Sequence, residues 1–307
     1  MTAPDRERES TGPRRIVLPQ TLPGQEDFVI AWLGRREGGP FLVDPGPAAT
    51  AERLLAALAE AGVDRLPLVL LTHIHLDHAG AAGHLARAFP EAHLVCHPRG
   101  IPHLVDPTRL WAGSLKVQGE VARVYGEPLP VPADRFIDPD AAGVRAVETP
   151  GHAPHHLSFV AGDTLYVGEA ACTCLETPGG LYLRPATPPR FRLDIALASL
   201  ARLRALDPTP ARIAFAHQCL VEGRTEELLA ASMEILRRWV EVAGRVRAEG
   251  PGDPEAAAGE IHRRLVECDP WYGRFTELEP AVQARELTFT RQSAEGIMGW
   301  LAEEDRA

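Results

Sequence analysis

The stretch Thr72-His73-Ile74-His75-Leu76-Asp77-His78 follows a short apolar run, residues 66–71, that is typical of a buried β-strand. A single histidine at a strand end is most often structural. Three histidines and an aspartate within six residues are costly to leave unpaired, and imidazole and carboxylate are ligands of zinc and iron. In an extended segment His73, His75 and Asp77 lie on one side, and His78 reaches a second position. The stretch therefore predicts a metal site.

The chain around this stretch alternates short apolar runs with helical segments, from about residue 15 to about residue 220. The predicted strands end at Gly, Pro or Asp and cover residues 28–33, 41–43, 66–71, 93–96, 144–147, 157–160, 164–167 and 213–216. Predicted helices cover residues 48–61, 79–89 and 193–206. This alternation predicts an α/β fold in which helices cover the faces of the sheets.

A helical pattern without strands begins after about residue 222. Its predicted helices cover residues 226–249, 255–267 and 280–303, and glycine and proline residues separate the first two. The predicted organisation is a flexible tail over residues 1–14, an α/β domain over 15–221 and a helical C-terminal region over 222–307. The helical region is a candidate wall of the functional pocket, a candidate dimer interface or a cover for the sheet.

Three more residues with ligand side chains follow predicted strands. His152 follows residues 144–147, Glu169 follows 164–167, and His217 ends the run 213–216. Because strand ends at one edge of a sheet can converge, these side chains are candidates for the same site.

Five motifs, in this order, resemble those of the metallo-β-lactamase superfamily. The His73–His78 run is similar to the HxHxDH signature, and Thr149-Pro150-Gly151-His152 is similar to the next ligand motif. The other three are Leu42-Val43-Asp44-Pro45-Gly46, which resembles the first motif, Gly168-Glu169, where the family usually has Gly-Asp, and His217. The resemblance covers about residues 15–220.

The resemblance implies a four-layer αββα sandwich with two divalent metal ions between the edges of its sheets. It assigns one ion to His73, His75 and His152 and the other to Asp77, His78 and His217, with Glu169 bridging them and Asp77 also catalytic. It places Asp44 behind the ligands, and His156 is a candidate for a supporting or substrate-contacting role. Zinc is the expected metal, with iron and manganese as alternatives.

Glu169 departs from the family pattern because its side chain is one methylene longer than aspartate. It can still bridge two ions, but the longer side chain can change their spacing or weaken one site. The alternative interpretation is an acidic loop residue that faces solvent.

The function implied is hydrolysis of a small ester, thioester or lactone by a metal-bound hydroxide, as in members similar to glyoxalase II or lactonases. The alternative is a mononuclear iron oxidoreductase of the persulfide dioxygenase type, which carries a similar HxHxDH motif. A third hypothesis is a binding protein that has kept the fold without the chemistry, but the complete set of ligand residue types argues against it.

Composition narrows the class of partner and the compartment. A formal net charge of -10 disfavours nucleic acid or an anionic membrane as the partner and leaves a small-molecule substrate. Five scattered cysteines predict reduced thiols rather than a disulfide framework. The charged first residues are not a secretory signal, and no apolar run is long enough to span a bilayer. We therefore expect a cytoplasmic protein.

Overall fold

The computed structural model of the chain describes residues 12–250 and 253–306. Its first sheet has the strand order β1-β2-β3-β4-β5, with β3, β4 and β5 parallel and the other pairs antiparallel. The strands are β1 (Arg14–Val17), β2 (Ile30–Arg36), β3 (Gly39–Val43), β4 (Leu68–Leu70) and β5 (His93–Val95).

The second sheet has the order β12-β11-β8-β7-β6, with β11 and β8 parallel and the other pairs antiparallel. Its strands are β6 (Arg145–Glu148), β7 (Leu157–Ala161), β8 (Thr164–Gly168), β11 (Arg212–Phe215) and β12 (Leu220–Glu222). The remaining two strands, β9 (Cys172–Thr177) and β10 (Gly180–Pro185), form a separate antiparallel hairpin.

The two five-stranded sheets pack face to face. Alternate side chains of each strand point to the same side, and one buried apolar cluster contains such residues from both sheets. Within it Phe41 meets Tyr166 edge to face at 5.8 Å between ring centroids. The indole nitrogen of Trp32 donates a hydrogen bond to the carbonyl oxygen of Phe215 across the sheets, at 2.7 Å.

Helices cover the outer faces of the sheets and complete the four-layer αββα sandwich. The apolar faces of these helices share a second buried cluster with the outward side chains of the strands. The helices are α1 (Ala51–Glu60), α2 (Leu76–Ala79), α3 (Ala82–Ala88), α4 (Ile101–Val105), α5 (Thr108–Gln118), α6 (Glu120–Tyr125), α7 (Pro139–Ala142), α8 (Leu193–Arg204), α9 (Thr225–Glu249), α10 (Pro254–Cys268) and α11 (Pro280–Glu304).

The C-terminal helices α9, α10 and α11 contact one another and pack beside the β9–β10 hairpin. Trp239, Tyr182 and Tyr272 are among the largest fully buried side chains, and their rings meet at 5.1 and 5.5 Å. Among the helices of the described residues, none has both the length and the apolar character needed to span a bilayer.

The structure confirms the predicted α/β class and helical C-terminal region but differs in detail. The helix predicted over 79–89 is two helices, and the first begins at Leu76. The β9–β10 hairpin and the helices α4, α5 and α6 were not predicted. Residues 1–11, most of the predicted tail, lie outside the described residues, and β1 begins at Arg14. The domain boundaries stay predictions.

Candidate metal centre

The ligand side chains predicted from sequence lie together at one end of the sandwich, where β4, β6, β8 and β11 end. They form two groups, and within each group one potential ligand atom per residue lies within 4.8 Å of the others. We call His73, His75, His152 and Glu169 the first half, and Asp77, His78 and His217 the second half.

The first half surrounds one small space with three ring nitrogens and a carboxylate. Nδ1 of His75 lies 3.0 Å from Nε2 of His73 and 3.0 Å from Nε2 of His152. Oε2 of Glu169 lies 3.0 Å from the His152 nitrogen and 3.4 Å from that of His73. A single pair of polar groups at such a distance is ordinary. Three ring nitrogens and a carboxylate oxygen that converge on one point form the donor set of a divalent cation.

The second half lies on the other side of Glu169. Nε2 of His78 is 3.3 Å from Oδ2 of Asp77 and 3.4 Å from Oε2 of Glu169. The second oxygen of Glu169, Oε1, is 3.6 Å from Nε2 of His217. The Glu169 side chain is only 11% exposed, so it is not a solvent-facing loop acid. Its carboxylate contacts both halves.

From sequence we expected the segment after β4 to stay extended, but it does not. Helix α2 begins at Leu76, so Asp77 and His78 lie in a helical turn while His73 and His75 precede it. Asp77 therefore falls in the second half rather than beside His73 and His75. The change of conformation within seven residues separates the two sets of ligands.

Asp44 holds two parts of the centre from behind. Its Oδ1 accepts the backbone N–H of Thr72 at 2.8 Å, and its Oδ2 accepts the Thr72 hydroxyl at 2.7 Å. The same Oδ2 lies 3.1 Å from Nδ1 of His78. Asp44 adopts φ 53°, a left-handed conformation that is uncommon for residues other than glycine. The contacts agree with the expectation that Asp44 stands behind the ligands.

Hydrogen bonds on the outer ring nitrogens fix which nitrogen faces the centre. Nδ1 of His152 lies 3.0 Å from the carbonyl oxygen of Ala186, and Nδ1 of His217 lies 3.0 Å from that of Phe28. A carbonyl oxygen only accepts, so each Nδ1 carries the hydrogen and each Nε2 presents a lone pair. His73 follows the same rule, because its Nδ1 is 3.1 Å from the Thr72 hydroxyl that donates to Asp44.

His156 supports Glu169 through the backbone. Its Nε2 accepts the Glu169 N–H at 3.0 Å, so its Nδ1 donates to the Thr149 hydroxyl at 2.8 Å. That hydroxyl contacts Ser158 at 2.9 Å, and Ser158 donates to the Val167 carbonyl at 3.0 Å. This series of hydrogen bonds begins at the Glu169 N–H and ends at the carbonyl of Val167, two residues earlier in the chain. His156 is fully buried and therefore supports Glu169 rather than facing a substrate.

Gly168 makes the close approach of His156 possible. It has φ +59°, and a Cβ atom at this position would lie 2.4 Å from Nε2 of His156. Any larger residue would displace the ring that holds Glu169. From sequence, Gly168 was identified only as part of the Gly168-Glu169 motif.

His73 and His75 differ from His78 in the direction in which their surroundings shift the pKa of the ring. Burial lowers the pKa of His73 well below its usual range and that of His75 to about 3, so both rings are neutral at pH 7. Burial also opposes the charged form of His78, but Asp77 and Asp44 outweigh it and raise its pKa well above the usual range.

The carboxylates of Asp77 and Glu169 are both ionised at neutral pH. Burial would raise the pKa of Asp77, but His78 counteracts it and lowers the pKa to about 2. Burial likewise opposes ionisation of Glu169, and His152 and the neighbouring histidines hold its pKa well below the usual range. Both groups are therefore available as anionic ligands at neutral pH.

The residues fit divalent metal ions. Nε2 of His78 is buried and lies 3.3 and 3.4 Å from the carboxylates of Asp77 and Glu169, yet it makes no well-directed hydrogen bond with any described residue. A buried ring nitrogen without a well-directed partner is costly, and a cation between it, Asp77 and His217 would satisfy it. Ring nitrogens and carboxylates in this number suit zinc or iron.

Several contacts around the centre were not predicted. The Thr72 hydroxyl contacts His73 and the Phe28 carbonyl contacts His217. Thr72 directly precedes the HxHxDH run and Phe28 lies in a predicted strand, but neither was predicted to support a candidate ligand. The buried cysteines Cys172 and Cys174 lie on β9 within the apolar core, as expected for small hydrophobic residues.

Comparison with known proteins places these features in a family. The chain matches the family model of the metallo-beta-lactamase superfamily over residues 24–217. It is 31% identical over 235 residues to a hydroxyacylglutathione hydrolase of Acidiphilium cryptum, covering 75% of this chain and 82% of that protein. It is 38% identical over 145 residues to the atrochrysone carboxyl ACP thioesterase of Aspergillus fumigatus, covering 45% of this chain and 36% of the thioesterase.

A solved structure extends the likeness to the whole fold. The metallo-beta-lactamase family protein TTHA1429 of Thermus thermophilus aligns with a TM-score of 0.61 and 21% identity, covering 96% of this chain and 94% of its own. The family-model match spans more than half of the chain and contains all seven candidate ligand residues of the two halves. The chain therefore belongs to the metallo-beta-lactamase superfamily and is a hydrolytic enzyme of that superfamily.

Proposed function

We propose that the chain hydrolyses a small ester, thioester or lactone, with thioesters as the favoured class, at a centre of two divalent metal ions. The observation that carries the proposal is the pair of ligand groups that share Glu169. The first half would hold one ion and the second half the other, with zinc favoured and iron or manganese as alternatives. Two bound divalent ions lower the pKa of a water molecule and polarise the carbonyl that it attacks.

Two relatives support the thioester class. One carries the name of a hydrolase of hydroxyacylglutathione and the other that of a thioesterase. In such a reaction the oxygen of water adds to the acyl carbon and the bond from that carbon to sulfur breaks. The departing sulfur takes up the proton that the water releases. The products are a carboxylic acid and a thiol.

Asp77 would act as a ligand and would orient the attacking water. Its carboxylate lies at the border of the second half, and its side chain is 15% exposed, so an incoming molecule can reach it. With its pKa lowered to about 2, against the opposing effect of burial, Asp77 is a weak proton acceptor at neutral pH. We therefore assign it orientation of the water rather than removal of its proton.

Elemental analysis and substrate assays on one purified sample test the proposal. We expect about two divalent ions per chain and turnover of acyl thioesters, with aryl esters and lactones as comparison substrates. Removal of metal with a chelator should abolish turnover, and restoring zinc should recover it. One iron per chain with oxygen consumption on a persulfide substrate would overturn the proposal in favour of the oxidoreductase. Two ions without turnover of any ester, thioester or lactone would also overturn it.

A further inference from the structure

The C-terminal helix α11 reaches the second half of the centre through a stack of side chains. The His217 ring lies parallel to the ring of Phe28, with centroids 3.9 Å apart and planes 8° from parallel. The guanidinium carbon of Arg285, on α11, lies 4.0 Å from the Phe28 ring centroid. Phe289, one helical turn later, contacts the same ring at 5.6 Å. Phe28 therefore lies between a candidate ligand and α11.

Phe28 holds His217 in two ways. Its carbonyl oxygen accepts the hydrogen of His217 Nδ1 at 3.0 Å, and its ring covers the imidazole face. Both Phe28 and His217 are only 2% exposed. The hydrogen bond fixes the direction of Nε2 and the stacking fixes the plane of the ring, so the position of Phe28 determines where Nε2 points.

Arg285 is itself held firmly over Phe28. Its Nε donates to Oε1 of Glu286 at 3.1 Å, and its Nη1 donates to the carbonyl oxygen of Gly24. Glu286 is fully buried and also accepts hydrogen bonds from Arg184 at 2.6 Å and Tyr182 at 3.1 Å. A guanidinium over an aromatic face is attracted most strongly when both are removed from water. Arg285 is 5% exposed, which meets that condition.

The loop before Phe28 also packs against α11. Gly24 has φ +75°, and a Cβ atom there would lie 2.4 Å from the carbonyl oxygen of Ala281. The loop and the helix therefore meet at Gly24, at the Arg285 hydrogen bond and at the Phe28 ring. Since α11 lies beyond residues 24–217, which match the family model, this support comes from outside the matched region.

We propose that Arg285 and Phe28 are positioning residues for His217, so that helix α11 sets the metal affinity of the second half. The inference rests on the proposed binuclear centre. Groups behind a ligand histidine usually change metal affinity by 10-fold or more when removed. Loss of the Arg285 cation should therefore weaken one metal-binding step and spare the other.

Metal-binding isotherms of the full chain in graded zinc buffers test the inference. In Arg285→Met we expect one step to weaken about 10-fold, and Phe28→Leu should affect the same step. Arg285→Lys keeps a cation over the ring and should restore most of the affinity. His217→Ala should remove the affected step, which identifies it as the second half. Arg291→Met, at an exposed position of the same helix, should bind like the wild type.

The outcomes separate this inference from the proposed function. A wild-type chain that binds no zinc overturns both. Wild-type affinity for both ions in Arg285→Met overturns the positioning role alone. So does an equal weakening of both steps together with a lower thermal unfolding midpoint, because that pattern indicates a general packing role. Failure of Arg285→Lys to restore affinity while folding normally also overturns it.

Discussion

The two halves of the candidate centre are held from different distances along the chain. In the first half the outer nitrogen of His73 contacts the adjacent Thr72, and that of His152 contacts Ala186. In the second half His78 depends on Asp44 and His217 depends on Phe28, which is 189 residues away in sequence. One support in each half spans 34 residues of the chain, so the contrast rests on the other support: Thr72 is adjacent to His73, whereas Phe28 lies 189 residues from His217.

His73 and His75 in the first half also differ in charge from His78 in the second half, which has a chemical consequence. His73 and His75 are neutral without metal because burial lowers their pKa, whereas His78 is protonated because Asp77 and Asp44 outweigh burial and raise its pKa. A metal ion can enter the first half without displacing a proton from these rings. In the second half it must displace the proton of His78.

The largest effect on activity should come from single variants that each remove one candidate ligand, one variant for each half. Replacement of His75 by alanine in the first half, or of Asp77 by alanine in the second, should lower kcat by about 10³-fold or more. Each variant should also lose about one ion, because one anchoring group of that half is gone. Steady-state kinetics and elemental analysis measure both effects. His93→Ala, at an exposed position of β5, is the control, and full activity of metal-free Asp77→Ala would contradict the mechanism.

Lowering the pH should empty the second half before the first. His78 has a raised pKa, so below that pKa a metal ion must displace the proton of His78 to bind in the second half. Each unit by which the pH falls then lowers the metal affinity of that half about 10-fold. Burial lowers the pKa of His73 and His75, so they stay neutral and add no such cost between pH 8 and 6. Equilibrium dialysis at fixed free zinc should show the loss of one ion over this range. Parallel loss of both ions would contradict the difference between the halves.

His156→Ala should weaken the hydrogen bonds that hold Glu169, the residue that contacts both halves. It leaves the Glu169 N–H without its acceptor, while the Thr149 hydroxyl keeps Ser158 as a partner. Unpaired buried groups cost about 1–3 kcal/mol, so the free energy of unfolding should fall by that amount in a denaturant titration. His93→Ala, at an exposed position of β5, should change it by less than about 0.5 kcal/mol. An unchanged free energy in His156→Ala would show that the hydrogen bonds around Glu169 contribute little.

Glu169→Asp should have the smallest effect of the four and tests the bridge itself. The backbone of Glu169 is fixed by His156, so the shorter side chain cannot simply advance toward both halves. We expect zinc to bind one half about 10-fold more weakly, with a smaller change in kcat. Glu169→Gln, which keeps the length and removes the charge, separates reach from charge in the same isotherms. Wild-type binding and turnover in Glu169→Asp would show that the extra methylene is neutral.

Local patterns were enough to predict much of the fold. The eight predicted strands and the three C-terminal helices have counterparts in the structure, because most of them combine apolar periodicity with Gly, Pro or Asp at or near their ends. Helix α5 was not predicted, and none of its residues is buried in the structure. The β9–β10 hairpin carried a turn signal, Pro178-Gly179-Gly180, which was not used.

Part of the candidate metal centre could likewise be predicted from local patterns, and part could not. Motif order was enough to nominate the seven ligand residues, which the structure brings together in two groups, while their assignment as ligands stays a prediction. Phe28 and Arg285 could not be nominated. Neither has a ligand side chain, and their contacts depend on how a loop near residue 24 packs against a helix more than 250 residues later, as in the Arg285 to Gly24 hydrogen bond.

The contact between Phe28 and α11 has a consequence for the order in which the centre is made. Translation proceeds from the amino terminus, so a nascent chain contains His73, His75, His152 and Glu169 long before Arg285 is synthesised. The first half can gather while the C-terminal helix is still in the ribosome, whereas the environment of His217 is complete only after it emerges. The two ions would then be acquired at different times in the life of each molecule.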